Sequence, residues 1–485
     1  MAHIDSAADA RDRGYRDAIA KVEPYGVDHI PDAERHGRPS SQFFTWFGGN
    51  LTLPLLLLGF WPIYFGLSLP QALLAIAVGT AAGALLMGVL AAMGTRLGLP
   101  QQVQARGALG YYGNYPSVAI VNVFAAVGWA VVNTIIGAEA LKELLPVPFW
   151  AGIVAISVGQ GLLVVFGYNM IHFVNRIGSA LLGVLFLAIT IVALTKAHWT
   201  VHADPHASFY VGVAGGWITS AGYFFSFLLA WAPFASDYSR YLPADTPGRR
   251  VRLNTAAGNF CAIFWLGAIG ALVASAAGKA GVIESVKHLT GGFAPLAMLT
   301  IVVSTFPVNG LNLYGGAISL LTLRVPVSRK VAAIVATILT MVLSLWLSGD
   351  IYARFHDFLV ASGYLIAPWV AIVFLDYFLA DRVNRINELY DRSRTVEWGF
   401  LAWLIGCAAS LPFWVSNVWT GPVAHAHAGL GDISYYVGAA VAAVVYLLTY
   451  RLSPLSGYLH GRRSSAVQPA QTGVADSGTS SVQAG

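Results

Sequence analysis

Apolar runs of about 20 residues recur along nearly the whole chain, each long enough to cross a hydrocarbon core about 30 Å thick. Nothing else in the sequence limits the fold so strongly. In lipid every backbone amide must find its partner within a helix or a closed barrel, and runs this long and this apolar are helices. They lie near 42–66, 69–93, 116–140, 150–169, 177–197, 211–236, 253–277, 295–323, 331–349, 356–378, 399–419 and 433–452, twelve in all. Only 11% of the 485 residues are charged, against roughly 25% in soluble domains. Most of the surface must therefore meet a solvent that does not ask for charge. The chain reads as an all-α integral membrane protein with twelve transmembrane helices.

A net charge of +5 would suit nucleic acid, but its distribution rejects that partner. With the N-terminus placed in the cytoplasm, 23 of the 28 lysines and arginines fall on the inner side. The outer loops hold only Lys142, Lys196, Lys279, Lys287 and Arg354. This is the bias of the positive-inside rule and sets both termini in the cytoplasm; the cytoplasmic membrane is the expected location. Residues 1–41 are a polar cytoplasmic segment without the apolar core of an export signal. Residues 453–485 read as a disordered cytoplasmic tail. Cys261 and Cys407 lie in apolar runs and read as small buried hydrophobes, not as a disulfide or metal pair. His198, His202 and His206 keep a four-residue spacing, but Pro205 interrupts the helix that would align them. No metal and no cofactor are expected.

The inner loop DYSRYLPADTPGRRVRLN divides a ten-span block into halves, 42–197 and 211–378, with 399–452 as two extra helices. Broken-looking spans open both halves. The first, FFTWFGGNLTLPLLLLGF, has Gly48, Gly49 and Pro54 around its middle. The sixth has Gly215, Gly216, Gly222 and Pro233. Freed backbone groups are tolerated in a membrane where they line a cavity, and interrupted helices at matching positions of two halves point to a transporter's binding site. Packing is the alternative use of glycine. The eighth span, STFPVNGLNLYGG, places Asn309 and Asn312 on one helix face, and each amide needs a partner, either a helix or a ligand. Gly363 and Pro368 allow the tenth span to bend as a gate, while Asp376 and Asp381 close it at the membrane surface, where charge is cheap.

In the third span, VGWAVVN puts Trp129 and Asn133 four residues apart, on one face and near the bilayer midplane. Tryptophan prefers the interface. A central indole with an amide one turn away suits a flat heteroaromatic ring, stacked on the indole and hydrogen-bonded at its edge. Such stacking is worth about 1–3 kcal/mol per base, and an amide both donates and accepts. The alternative is that Trp129 packs and Asn133 bonds a neighbouring helix. The middles of spans one, three, six, eight and ten hold no ionisable residue, which favours a neutral solute over a charged one.

The segments IPDAERHGRPSSQFFTWFGGNLTLP, GTRLGLPQQVQARGALGYYGNYP, VGWAVVN and WAPFASDYSRYLP, in that order, resemble the nucleobase–cation symporter family, and its purine–cytosine permease branch most closely. The resemblance covers roughly residues 24 to 450. It implies a leucine-transporter-like fold of two five-helix inverted repeats plus two extra helices, working by alternating access on a purine base or cytosine with a proton or sodium ion. It implies that Trp129 stacks under the base, that Asn133 accompanies it, and that Asn312, with Asn309 second, reads the base edge. Trp231 covers the other face, and the broken segments supply backbone groups around Gly49 and Asn50. Two departures stand out. Where relatives carry Trp or Phe nine residues before the acid of the D-Y-x-R-Y string, this chain has Leu228, so Trp231 or Phe225 substitutes. Where sodium-coupled relatives carry two hydroxyls before the eighth-span asparagine, it has Pro307 and Val308. A shifted register would recruit Ser304 and Thr305 with the carbonyls of Gly48 and Leu51. Sodium wants oxygen ligands, and their shortage favours proton coupling, with Glu139 or Asp237 as carrier. Asp237 and Arg240 also read as an ion pair or gate latch.

Two rival readings differ in kind. Hydantoins, allantoin or a vitamin pyrimidine have similar flat rings and would keep the fold while changing the cargo. A membrane-embedded enzyme would need an acid–base or metal cluster at membrane depth, and no clustered His, Asp, Glu or Cys occurs in the spans.

Overall fold

The computed structural model describes residues 25–166, 168–200, 212–277 and 282–452. The first 24 residues, the tail from 453 onward and the loop holding His202 and His206 lie outside the described residues. The first span is a bent pair, α1 (Ser40–Gly49) and α2 (Leu53–Tyr64), with 69° between them. Then come α3 (Leu69–Leu97), α4 (Phe124–Leu144), α5 (Phe149–Phe166), α6 (Tyr168–Lys196), α7 (Gly212–Trp231) and α8 (Gly248–Ala277). A short amphipathic helix, α9 (Val282–Thr290), precedes α10 (Ala294–Thr322). The chain continues through α11 (Arg329–Leu347), α12 (Ile351–Leu379), α13 (Trp398–Ser410) and α14 (Ser434–Thr449). Seven described helices are long and apolar enough to cross a membrane, eight with the bent pair, and four shorter apolar helices complete the twelve read from the sequence. The protein is a multi-pass integral membrane protein.

Local chemistry sets the ends of these helices. Ser68 and Gln71 form a capping box at the start of α3, and Gly98 ends it in the left-handed conformation that glycine adopts without strain. In the first span Asn50 caps α1, Thr52 is extended, and Pro54 sits at the start of α2, where a missing N–H costs nothing. The sixth span breaks only at its end. Gly215, Gly216 and Gly222 do not interrupt α7, because glycine keeps its N–H and the ladder runs through. These three glycines instead let Gly429, Phe65 and Tyr435 come close, the packing use weighed above. Pro233 has no N–H to give, and α7 yields there to a 3-10 turn at Ala232–Phe234.

Packing sorts the spans into two groups. Spans one, two, six and seven (α1–α3, α7, α8) pack on one another, as do spans three, four, eight and nine (α4, α5, α10, α11). Gly59 of α2 lies against the backbone of Gly267 and Gly270 on α8, a contact any larger side chain would prop open. The last two helices pack on α12 and on each other. Cys261 departs from its expected burial: it lies on the exterior of α8, while Cys407 is half-buried.

Candidate functional site

The break in the first span supplies the floor of the site. Asn50 donates to the carbonyl of Trp46 (2.7 Å) and to Asn259 Oδ1 on α8 (3.0 Å), so its own Oδ1 is left to accept. Trp231, at the end of α7, donates its indole N–H to that oxygen at 3.1 Å. Two residues on, Thr52 donates to Asn133 Oδ1 at 2.7 Å, while Asn133 Nδ2 bonds the carbonyl of Trp129 at 2.8 Å. Asn133 is 1% exposed. It thus ties the bent first span to α4, and keeps one further N–H for another acceptor.

Trp129 is 7% exposed and faces the protein interior. Phe227 of α7 meets it edge-to-face at 5.0 Å, and Phe355 and Phe358 of α12 do so at 5.7 and 5.3 Å. No described hydrogen-bond partner meets its buried indole N–H. With three rings around it and so little of its surface exposed, Trp129 is enclosed in this structure. Asn309 reaches the carbonyl of Ala130 (3.0 Å), and Gly316 lies against Ala126. Asn312, between them on α10, is therefore level with Trp129. It donates to Asn309 Oδ1 at 3.2 Å.

The residues expected from the sequence divide on these contacts. Asn309 meets α4 at Ala130 and Thr134 with Asn312 bonded to it, while Trp129 faces α7 and α12 and Asn133 faces Thr52 at the first-span break. Gly49, Asn50 and Trp231 stand at the break beside them, with Gly49 against Leu311. Phe225 points elsewhere and stacks on Tyr436 of α14 at 5.9 Å. Two residues along a helix is about 200° of rotation, which turns Phe227 to Trp129 as it turns Phe225 away. Leu228 packs on Gly83 of α3. No described hydrogen bond joins Ser304 or Thr305 to Gly48 or Leu51. Ser304 donates to Ile301 (2.7 Å), Thr305 to Val302 (2.9 Å), and the Gly48 carbonyl accepts from Leu51 (3.3 Å). Gln160 of α5 was missed from the sequence, being a lone amide without a motif. It accepts from Thr134 and Asn309 and donates to Thr305.

The ionisable groups sit at the ends of the spans. Glu139 lines a cavity of about 510 Å³ with Lys142, Glu143, Glu284 and Lys287, between α4 and α9. Asp237 and Arg240 are fully buried: Asp237 accepts from the Gln101 N–H at 3.0 Å, and Arg240 donates to the Gly26 carbonyl and the Tyr314 hydroxyl. Asp376 is not a surface charge. It is 2% exposed, paired two-fold with Arg382 (2.6 and 2.7 Å), and accepts from Tyr446 (2.6 Å). The chain folds back after α12, and that fold covers the carboxylate. Among the described residues no group of three or more His, Cys, Asp or Glu could hold a metal ion.

Residues 29–438 match the model of a family described as permease for cytosine/purines, uracil, thiamine, allantoin. YxlA of Bacillus subtilis, whose name assigns it to the purine-cytosine permeases, is 30% identical over 461 residues, covering 90% of this chain and 98% of YxlA. The purine-cytosine permease FCY2 of Saccharomyces cerevisiae is 26% identical, covering 92% and 88% of the two chains. Among solved structures, Mhp1, a nucleobase-cation-symport-1 family transporter in a closed conformation with bromovinylhydantoin bound, shares the fold. Its TM-score is 0.73 at 18% identity, over 91% of this chain and 97% of Mhp1.

Proposed function

Because the chain belongs to the family of permeases for cytosine/purines, uracil, thiamine and allantoin, we propose that it is a secondary active transporter that imports a purine base or cytosine with a cation by alternating access. The observation that carries the cargo is Trp129: a buried indole whose N–H has no described partner, level with Asn312 and walled by rings on two other helices. A nucleobase offers what that place lacks, a π face for stacking on the indole and a polar edge for Asn312 to read. Trp129 supplies one face, and withdrawal of Phe355 or Phe358 makes room for the base. Asn312 reads the edge, Asn309 holds Asn312, and Asn133 with Asn50 and Trp231 keeps the broken segment around Gly49 in place. The two packed groups of four spans, offset by five, are the moving parts of two inverted repeats (42–197 and 211–378), with 399–452 as the extra pair.

Both termini face the cytoplasm, as the lysine and arginine bias requires. The coupling ion is a proton: the Thr305 hydroxyl donates to Val302 and is met by Gln160, Ser304 donates to Ile301, and the Gly48 carbonyl accepts from Leu51. The test is uptake of labelled adenine and cytosine into proteoliposomes under an imposed pH gradient, and separately under a sodium gradient. Accumulation of chemically unchanged base under the pH gradient is expected. Uptake of a hydantoin, allantoin or vitamin pyrimidine with neither base would overturn the cargo, and uptake driven by sodium alone would overturn the coupling.

A further inference from the structure

We infer that Gln160, a fully buried amide of α5, is a positioning residue that, together with the Ala130 carbonyl, fixes the hydrogen-bond direction of Asn312, so that the site accepts an N–H from its cargo at that point. The inference rests on the base-transport reading above and deepens it. Two backbone carbonyls settle the directions, because a carbonyl can only accept. Ala130 O lies 3.0 Å from the Asn309 amide, so Asn309 must turn its NH₂ toward it. The same nitrogen lies 3.0 Å from Gln160 Oε1 and 3.2 Å from Thr134 Oγ1. At the other end of Gln160, Nε2 lies 3.4 Å from Thr305 O and 3.2 Å from Thr305 Oγ1. The Thr305 carbonyl thus turns the Gln160 NH₂ to itself and its Oε1 to Asn309. Both hydroxyls fit this pattern. Thr134 spends its proton on Gln160 Oε1 (3.1 Å), and Thr305 on the Val302 carbonyl (2.9 Å), so each has lone pairs left to accept.

Asn309 is therefore pinned with its Oδ1 away from α5. A flipped Asn309 would set its oxygen against the Ala130 carbonyl and Gln160 Oε1, two acceptors with no proton between them. Asn312 can meet the pinned oxygen only with its own NH₂, at 3.2 Å. Its Oδ1 then remains as an acceptor, and no described donor meets it. A free asparagine amide would turn to suit a donor or an acceptor on the cargo; this one cannot. A ring with N–H at that edge is taken, and the same ring with methyl in place of that hydrogen leaves a buried oxygen unpaired. Loss of one buried hydrogen bond of this kind is worth ~5- to 150-fold in affinity.

The test measures how well matched bases, carrying hydrogen or methyl on each edge nitrogen in turn, compete with labelled cytosine or adenine for uptake into proteoliposomes. Wild type should prefer the N–H form at one edge by at least about 5-fold. Gln160→Leu removes one of the two acceptors that orient Asn309 and leaves the Ala130 carbonyl alone, so it should cut that preference to less than half its wild-type value while base is still carried. Gln160→Glu keeps an acceptor for Asn309 and should keep most of the preference. If Gln160→Leu does not fold, Gln160→Met reads the same ratio. An unchanged preference in a transporting Leu or Met variant overturns the role of Gln160 alone. Failure of wild type to take up any base overturns the cargo, and this inference with it.

Discussion

Replacing Trp129 by leucine keeps apolar bulk and removes the π face, which separates stacking from simple filling. Two effects must be told apart. The three edge-to-face contacts with Phe227, Phe355 and Phe358 are worth about 0.5–1.5 kcal/mol each beyond burial. Their loss falls on the folded protein whether or not cargo is bound, so it appears in thermal stability. Stacking exists only in the complex, and its loss of about 1–3 kcal/mol per base raises Kd by ~5- to 150-fold. Trp129→Phe retains a face. The indole N–H has no described partner, so phenylalanine forfeits no hydrogen bond in the free protein. Its Kd should therefore stay within about 5-fold of wild type. The assay is equilibrium binding of labelled base to purified protein, beside thermal unfolding of each variant. A Trp129→Leu protein that folds and binds base with the wild-type Kd would refute the stacking role.

Two further expectations concern groups away from the cargo. Arg382→Met leaves Asp376 buried with only Tyr446; breaking such a pair costs about 3–5 kcal/mol. The double variant Asp376→Asn with Arg382→Met should unfold at a higher temperature than Arg382→Met alone, and a lower one would argue against a buried pair. Asp432 is fully buried between α12 and α14 and accepts from Tyr364 and Ser434. Burial pushes its carboxyl up from 3.8 to about 6, although these bonds favour the charged form. A raised folded-state value means that protonation stabilises the fold. This contribution, at most about 3 kcal/mol, is full below about pH 4 and lost as pH rises past about 6. Asp432→Asn should flatten the loss of melting temperature across that window, and an equal fall in both proteins would locate the effect elsewhere.

The bilayer demands length, apolarity and closed backbone bonding of each segment separately, so the number and positions of the spans, and the family, were legible in a single pass along the chain. The break at Gly49–Thr52 was legible too, because glycine, asparagine and proline act on their own backbone. Pairing between distant segments was not. Phe225 and Phe227 are equally plausible as letters, and only the rotation of α7 against α4 and α12 turns the second toward Trp129. Gln160 carries no local signal at all; it acquires meaning because α5 sets it within 3.0 Å of Asn309. Asp376 reads as a surface charge until the chain beyond α12 folds back and Arg382 and Tyr446 cover it. Sequence determined what each helix can endure in lipid. Tertiary structure decided which polar atoms meet, because a hydrogen bond has a direction and a partner that no single segment contains.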